Sequence, residues 1–223
     1  MDWEGLALQE QDAHVLSVQG VKRLPYYLKF LKELQANGTA YVAAGAIAES
    51  LNIYEVQVRK DLAAVSSQPG KPRVGYSVDS LIADIEHFLG YDCAHTAALV
   101  GVGHLGKALM SYTGFADYGL DIAAAFDCDP AVIGREIHGC PVFPMERLEE
   151  ICRERKLLIG IITTPAPQAQ TVCDALVRAG VRAVWNFAHV HLHVPEGVMV
   201  QNEDMAVSFA LLSSRLAQTL RME

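Results

Sequence analysis

Three glycines with the spacing G-x-G-x-x-G, Gly101, Gly103 and Gly106, follow an apolar run directly. The run, 96–100, is typical of a buried strand, and 107–112 is typical of a helix. In that setting the first glycine allows a tight turn, the second lets a pyrophosphate approach the backbone, and the third lets helix and strand pack closely. The helix N-terminus offers free N–H groups to the phosphates. The motif predicts a dinucleotide site; the alternative is an ordinary glycine-rich turn.

An acidic residue follows the next predicted strand at a spacing that fits the same site. This strand, 121–126, ends at Asp127, which lies 21 residues after Gly106. A carboxylate at this spacing can accept hydrogen bonds from both ribose hydroxyls and repels a 2′-phosphate. The sequence therefore favours NAD(H) over NADP(H).

Length and composition limit the class of protein. With 223 residues, of which 51% are apolar, the chain can form one or two domains with a sizeable core. No apolar run reaches the roughly 18 residues of a membrane span, and the acidic N-terminus is unlike a secretory signal. We therefore expect a cytoplasmic protein without a membrane partner. Five widely spaced cysteines without a C-x-x-C pair are typical of reduced thiols.

The charge is unevenly distributed along the chain. The net charge is −8, yet the segment 20–76 carries eight Lys and Arg against four Asp and Glu. A basic segment on an acidic body suits a DNA-binding module joined to a metabolite sensor. The alternative is a solvated surface without a nucleic-acid partner.

Helical periodicity over 21–35, 43–51 and 54–65 predicts three helices, of which the last two are joined by a short turn. This arrangement is typical of a helix-turn-helix. A Ser-, Pro- and Gly-rich basic segment, 66–73, and a short strand, 74–78, complete the outline of a winged helix. The alternative is a three-helix cap that contacts only protein.

The predicted winged helix carries side chains suited to nucleic acid. Glutamine and arginine can read base edges, and lysine and arginine bind phosphates. The third helix and the hairpin supply the candidate DNA-binding residues Gln57, Arg59, Lys60, Lys71 and Arg73.

The second half of the chain alternates strands and helices, which predicts a parallel sheet with helices on both faces. We place the domain boundaries at 1–90 for the winged helix, 91–203 for the dinucleotide-binding domain and 204–223 for a terminal helix. Apolar residues nearly surround that last helix. A helix of this kind packs against more than its own sheet, and we infer a dimer contact.

Five further motifs accompany the glycine motif. They are R-L-P-Y-Y at 23–27, Q-V-R-K-D-L at 57–62, V-G-Y at 74–76, A-A-F-D-C-D-P at 124–130 and W-N-F-A at 185–188. Together these motifs resemble the Rex family, bacterial redox-sensing transcriptional repressors. The resemblance covers about 21–220, and its most specific part is Q-V-R-K-D-L in one chain with the glycine motif.

The resemblance implies an α/β protein with an N-terminal winged helix-turn-helix, a C-terminal Rossmann-like NAD(H)-binding domain and a terminal domain-swapped helix. It implies a homodimer that binds a palindromic operator. NADH favours release from DNA, and NAD+ permits binding. Carried over by position, the cofactor-binding residues are Gly101, Val102, Gly103, His104, Leu105, Gly106, Tyr112, Asp127, Thr163, Thr164, Pro165, Asn186 and Phe187.

The resemblance also implies a switch. Tyr112 matches a tyrosine that changes partner between states, and Asp204 matches an aspartate on the swapped helix that this tyrosine can hydrogen-bond. Lys29 stands where some relatives have an arginine that pairs with the aspartate in the DNA-bound form; lysine makes a point-charge contact instead of a bidentate one. For Tyr112 the alternative is a packing role at the end of its helix.

The chain departs from the family pattern in three places. The residues after Q-V-R-K-D-L are Ala63-Ala64-Val65-Ser66 where Ser-Tyr-Phe-Gly is usual, and the hairpin is altered at 68–72. Where Asn-Phe-Ala-Pro is usual, this chain has Asn-Phe-Ala followed by His189. His189, His191 and His193 alternate, and residues spaced by two share one face of a strand. We predict a short strand at 191–194. We favour a polar outer face over a metal site there.

Two classes of function fit the sequence. The first is a DNA-binding sensor of the NADH/NAD+ ratio, in which a dry apolar pocket prefers the neutral nicotinamide of NADH to the cation of NAD+. The second is an NAD-dependent dehydrogenase, which needs a substrate domain and a positioned acid or base. The first 90 residues do not resemble a substrate domain. A weaker third interpretation is a regulator that has lost redox control or the usual operator preference.

Overall fold

The computed structural model describes residues 16–221. The chain divides between Asp92 and Cys93 into two compact units. Each unit has its own hydrophobic core.

Over residues 16–92, the first unit consists of four helices and one small antiparallel sheet. The helices are α1 (Val18–Ala36), α2 (Ala44–Leu51), α3 (Glu55–Val65) and α4 (Val78–Leu89). The strands β1 (Tyr41–Val42) and β2 (Tyr76–Ser77) pair with each other.

Local chemistry explains where these helices begin and turn. Ser17 caps α1 by accepting a hydrogen bond from the Gly20 N–H at 3.2 Å. The helix then buries one face. Asn52 adopts the left-handed conformation, with φ of 52°, at the C-terminal cap of α2. An asparagine tolerates this backbone, and the sharp turn that results joins α2 to α3 as a helix-turn-helix.

The hairpin before β2 needs a glycine at one position. Lys71 and Gly75 exchange both backbone N–H···O bonds, at 2.8 and 2.9 Å. Gly75 has φ of +96°, and a Cβ there would lie 2.1 Å from the carbonyl oxygen of Val42. Only glycine allows the hairpin to approach β1 so closely. Arg73 also has a positive φ, of 61°, and is exposed in the turn.

The second unit is a seven-stranded sheet with helices. Its strands are β3 (His95–Val100), β4 (Leu120–Asp127), β5 (Glu136–Ile137), β6 (Cys140–Pro144), β7 (Ile159–Ile162), β8 (Ala183–Asn186) and β9 (Met199–Asn202). Its α-helices are α5 (His104–Ser111), α6 (Leu148–Glu154), α7 (Ala166–Arg178) and α8 (Met205–Leu220).

The strand order of this sheet is β5-β6-β4-β3-β7-β8-β9. Six strands are parallel, and only the edge strand β5 is antiparallel to its neighbour. The chain runs outward from β3 in one direction and returns to β7 on its other side, so the order of connection reverses between β3 and β7. In doubly wound sheets a ligand binds at this reversal, beyond the carboxyl ends of the strands. The predicted α/β fold class, with an N-terminal helix-turn-helix and a Rossmann-like sheet, is confirmed.

The predicted strand over 191–194 is wrong. The chain from Phe187 to Pro195 is irregular, and β9 occupies the place beside β8. The reason lies in α7: Gln170 donates a hydrogen bond to the His193 carbonyl and accepts one from the His193 N–H, both at 2.9 Å. The side chain thereby takes the place of a neighbouring strand. His191 and His193 stack edge to face with centroids 5.9 Å apart.

The last helix, α8, exposes its apolar side chains on all sides. Val207, Phe209, Leu211, Leu212, Leu216 and Leu220 are each 56–68% exposed. Asp204 caps the helix and accepts a hydrogen bond from the Ala206 N–H at 2.8 Å. None of the helices within residues 16–221 is long and apolar enough to cross a membrane.

The five cysteines are free thiols of two kinds. Cys140, Cys152 and Cys173 are buried in the second unit, and burial raises the pKa of each thiol to about 11. Cys93 and Cys128 are exposed.

Candidate functional site

The glycine-rich loop begins where β3 ends, at the reversal of the sheet. Gly101 has φ of +100°, and its N–H donates to the Phe126 carbonyl at the end of β4, at 2.9 Å. On the other side, the Thr163 N–H donates to the Val100 carbonyl at 2.9 Å. The ends of β4, β3 and β7 are thus joined by hydrogen bonds, and the loop rises from a fixed base.

The second and third glycines of the motif serve different purposes. A Cβ on Gly106 would lie 2.1 Å from the Gly101 carbonyl oxygen, so this glycine is required by the packing of α5 on the loop. A Cβ on Gly103 would meet nothing within 4 Å, and its φ of −74° suits any residue. Gly103 therefore lacks a structural reason to be glycine. Close approach of a ligand to the backbone supplies one, because Gly103 caps the N-terminus of α5.

The other residues of the motif lie at the start of α5. Val102 is buried, whereas His104 and Leu105 are exposed in the first turn. The first N–H groups of a helix have no acceptor within it. Those of α5 therefore remain available for an anion.

Asp127, the last residue of β4, lies beside this loop. Its carboxylate accepts hydrogen bonds from the Val102 N–H at 2.5 Å and from the Asp129 N–H at 2.9 Å. Each carboxylate oxygen keeps a second lone pair for a hydroxyl donor. The acid is thus held beside the glycine loop.

Two threonines after β7 also have different surroundings. The Thr163 hydroxyl donates to the Gly101 carbonyl at 2.6 Å, which leaves it little capacity for a ligand. The hydroxyl oxygen of Thr164 is buried without a hydrogen-bond partner among the described residues. A buried unpaired hydroxyl is unfavourable, and a ligand at this position would satisfy it. Pro165 follows, exposed, as the N-terminal cap of α7.

Asn186 was predicted to border the cofactor pocket, but its side chain is fully buried and hydrogen-bonded within the protein. The amide donates to the Ala188 carbonyl, the Val190 carbonyl and Asn202 Oδ1 at 2.8–3.1 Å, and accepts from the Ala188 N–H. Asn186 therefore holds the loop after β8 in place.

A row of four aromatic rings links the end of α5 to β8 and the loop after it. Tyr112 packs edge to face on Phe115, and Phe115 packs edge to face on Trp185. Trp185 packs in a tilted arrangement on Phe187, and the centroids of the three pairs lie 4.9–5.8 Å apart. Phe187 is half-buried at its end. These rings form a continuous apolar surface from the end of α5 to the loop after β8.

The three predicted switch residues make separate contacts. Tyr112 is 54% exposed and touches Phe115. Asp204 lies 3.7 Å from His189 Nδ1, in addition to capping α8. Lys29 is exposed on α1, in the first unit.

The first unit contains a buried ionic network that sequence reasoning missed. Asp61 on α3 is 1% exposed and accepts four hydrogen bonds: from Arg23 Nε and Nη2 at 2.7 and 2.9 Å, from the Tyr27 hydroxyl at 2.7 Å and from Gln57 Nε2 at 2.9 Å. Burial is the largest single effect and raises the pKa of Asp61. The hydrogen bonds together outweigh it, so the pKa lies below its usual range.

The network explains why two distant motifs occur together. It joins R-L-P-Y-Y on α1 to Q-V-R-K-D-L on α3 and so fixes α3 against α1. It also occupies Gln57, which was predicted to bind DNA. The i, i+4 spacing of Gln57 and Asp61 on one helix is the signal that indicates this pair.

The remaining predicted DNA-binding residues are exposed. Arg59 is held by Glu55 through two bonds to Oε1, at 2.6 and 2.9 Å. Lys60 is exposed beside it on α3, and Lys71 and Arg73 are exposed in the hairpin. The structure thus gives the unit four exposed cations on the two elements of a winged helix that contact DNA.

Family models match a segment at the start of the chain and most of the second unit. Residues 16–63 match the family described as putative DNA-binding protein N-terminus, and residues 92–190 match the CoA binding domain. A redox-sensing transcriptional repressor Rex from Treponema denticola is 44% identical over 198 residues, which cover 89% of this chain and 94% of that protein. The protein of the same name from Bacteroides fragilis is 39% identical over 209 residues, which cover 94% of each chain.

Solved structures agree with these relatives. The crystal structure of RSP in complex with β-NAD+ and operator DNA has a TM-score of 0.86 and is 31% identical, with 93% of this chain and 95% of that chain covered. RSP in complex with β-NADH has a TM-score of 0.81 at the same identity, with 93% and 97% covered. RSP is described as a Rex-family repressor. This chain belongs to the Rex family of redox-sensing transcriptional repressors.

Proposed function

We propose that this protein is a transcriptional repressor that binds a palindromic operator as a homodimer and leaves it when NADH binds. The single observation that supports this most is Gly103. It is a glycine without a structural reason, at the N-terminus of α5, in a chain that also presents an exposed basic helix-turn-helix. A sensor requires a ligand-binding site and a DNA-binding unit in one chain. We call the proposed ligand site, where Gly103, Asp127 and Thr164 lie at the reversal of the sheet, the crevice.

The residues around the crevice fit NADH and NAD+. Gly103 and the N–H groups of His104 and Leu105 would hold the pyrophosphate, with Gly101 and Gly106 shaping the loop. Asp127 would accept from the adenosine ribose hydroxyls.

Across the crevice, the buried hydroxyl of Thr164 would gain a partner, and Pro165, Phe187 and Tyr112 would lie toward the nicotinamide. Thr163 and Asn186 have their hydrogen bonds within the protein. We therefore assign them to positioning the loops around the cofactor, and Val102 to holding Asp127.

Discrimination between the two oxidation states follows from charge. The nicotinamide ring is neutral in NADH and positive in NAD+, and moving a charged ring out of water costs more than moving a neutral one. The aromatic row that ends at Phe187 provides an apolar wall for this ring. A difference in affinity of this kind is what shifts a two-state protein between forms.

The dimer rests on α8. Six large apolar side chains that are more than half exposed on one helix need a covering surface. We propose that α8, as the segment 204–223, is exchanged between two subunits. In the dimer Asp204 is then available to Tyr112 or to Lys29, depending on the state.

On DNA we assign Arg59, Lys60, Lys71 and Arg73 to phosphate and base contacts, and Gln57 to supporting α3. The domains are the winged helix 1–90, the NAD(H)-binding domain 91–203 and the exchanged helix. Because operator DNA and the NAD(H) pool share the bacterial cytoplasm, we place the protein there.

The test is fluorescence anisotropy on a labelled operator duplex, obtained by selecting random-sequence duplexes with the wild-type protein. NADH and NAD+ are titrated at fixed salt, because phosphate contacts make affinity salt-dependent. Coenzyme A, whose ribose carries a 3′-phosphate, serves as a control nucleotide. The Gly103→Leu variant serves as the control protein, since it fills the space that the pyrophosphate needs.

Release by NADH at concentrations where NAD+ has little effect, together with resistance of Gly103→Leu to NADH, supports the proposal. Tight DNA binding that neither nucleotide changes would contradict the switch. Failure to select any duplex while NADH binds would contradict the repressor and favour a dehydrogenase.

A further inference from the structure

The exposed face of α3 is more apolar at its N-terminal end than the helix-turn-helix motif alone indicates. Tyr54, the N-terminal cap residue, is 87% exposed, and Val56 is 66% exposed. Ala63, two turns after Val56, is also exposed. Lys60 lies between them on the same face, because residues spaced by three and four share one side of a helix.

Tyr54 occupies a position that usually carries a different residue. Ser, Thr, Asp or Asn at a helix N-terminal cap stabilises the protein by about 0.5–2 kcal/mol relative to residues that cannot cap. Tyr54 makes no side-chain capping hydrogen bond. The chain thus forgoes this stabilisation for an exposed aromatic side chain with a hydroxyl.

The polar side chains of the first turns are engaged within the protein. Gln57 donates to Asp61, and Arg59 is held by Glu55. Arg59 is nevertheless exposed and stays available to DNA, and the other exposed side chains that can meet a base edge at this end of α3, Tyr54 and Val56, are aromatic and apolar. The cation Lys60 beside them supplies attraction for phosphate.

We propose that Val56 reads thymine by packing against its C5-methyl group, while the Tyr54 hydroxyl donates a hydrogen bond to a neighbouring phosphate. The thymine methyl is the one apolar mark in the major groove, and small apolar side chains recognise it. The N-terminal residues of a recognition helix are the ones that contact base edges. This inference rests on the proposed function and adds which base the exposed face of α3 selects.

The experiment removes single methyl groups from the DNA. A duplex selected by the wild-type protein is prepared in variants in which one thymine at a time, in both half-sites, is replaced by uracil. Affinities are measured by anisotropy for wild type, Val56→Ala and, as a control, Val21→Ala, an exposed valine on α1. Thermal melts by circular dichroism verify that both variants fold.

At the contacted thymine, loss of the buried methyl should weaken wild-type binding about fourfold for each half-site, and therefore about fifteenfold for the dimer on a duplex substituted in both half-sites. The same uracil substitution should lower the affinity of Val56→Ala for the duplex by a smaller factor. It should lower the affinity of Val21→Ala by the same factor as for wild type. Tyr54→Phe should weaken binding to every duplex equally, because a phosphate contact carries no sequence information. Equal uracil effects in wild type and Val56→Ala, or none at any thymine, would overturn the inference while leaving the repressor intact. Failure to select any duplex would instead overturn the proposed function, and this inference with it.

Discussion

Replacing Asp61 with asparagine tests whether the buried network holds α3 in place. Asp61 Oδ2 accepts from Arg23 Nε and the Tyr27 hydroxyl, and Oδ1 accepts from Arg23 Nη2 and Gln57 Nε2. An asparagine replaces one of these two carboxylate oxygens with an NH2 group, which cannot accept a hydrogen bond. Whichever way the amide is turned, its NH2 group faces two donors, and the Arg23 charge loses its counter-charge.

The expected cost lies between two limits. An exposed ion pair contributes up to about 1 kcal/mol, whereas breaking a fully buried pair costs about 3–5 kcal/mol. Asp61 is 1% exposed and Arg23 is 24% exposed. We therefore expect Asp61→Asn to lower the free energy of unfolding of the first unit by about 2–3 kcal/mol.

Urea denaturation of the full-length protein, followed by far-UV circular dichroism, measures this loss. The control is Asp79→Asn on α4, an exposed carboxylate that accepts from Gln35 at 2.7 Å; its effect should be about 0.5 kcal/mol or less. Operator binding by Asp61→Asn should also weaken, because α3 is no longer fixed against α1. A variant as stable as wild type would refute this account of the network.

The pH dependence gives an independent measurement. The pKa of Asp61 is lower in the folded protein than in the unfolded chain, so the unfolded chain takes up the proton first as the pH falls. The stabilisation is fully present above about pH 5, given an ordinary aspartate pKa near 3.9, and is lost as the pH falls through the folded value. Wild type and Asp61→Asn should therefore converge in stability in acid.

Further substitutions test the crevice and the dimer. Gly106→Ala should lower the Tm and abolish NADH binding, because its Cβ would lie 2.1 Å from the Gly101 carbonyl oxygen. Gly103→Ala should keep the wild-type Tm and weaken the binding of NADH by about tenfold or more, equivalent to about 1.4 kcal/mol. Calorimetry and thermal melts distinguish the two variants. Asp127→Asn should weaken the binding of NADH and reduce the preference for NADH over NADPH. Titration with each nucleotide measures both effects. Leu212→Glu on the exposed α8 should convert dimer to monomer in sedimentation, and an unchanged dimer would contradict the proposed interface.

The sequence predicted the features that depend on local pattern. The glycine spacing, the apolar run before it and the acid 21 residues later predicted the loop, its strand and the end of β4, all of which the structure places together. The helix-turn-helix followed from helical periodicity and a short turn. Each of these signals lies within a few turns or strands of the chain.

The features that depend on distant contacts could not be predicted in the same way. Arg23 and Asp61 are 38 residues apart, and nothing local shows that their side chains meet. Asn186 follows a buried strand, where a ligand contact is common, but Asn202 on β9 occupies its amide. The alternating histidines had the period of a strand, yet Gln170 on α7 satisfies the His193 backbone instead. In each case a partner from elsewhere in the chain decided the outcome.

The burial of three thiols affects how the protein reacts with peroxide. A thiol reacts with peroxide as its thiolate, and at neutral pH a pKa of about 11 leaves roughly one thiolate in ten thousand at Cys140, Cys152 and Cys173. Burial therefore makes these three thiols slow to react with oxidants, whereas Cys93 and Cys128 are exposed. We therefore expect peroxide to modify the two exposed thiols before it modifies these three buried ones.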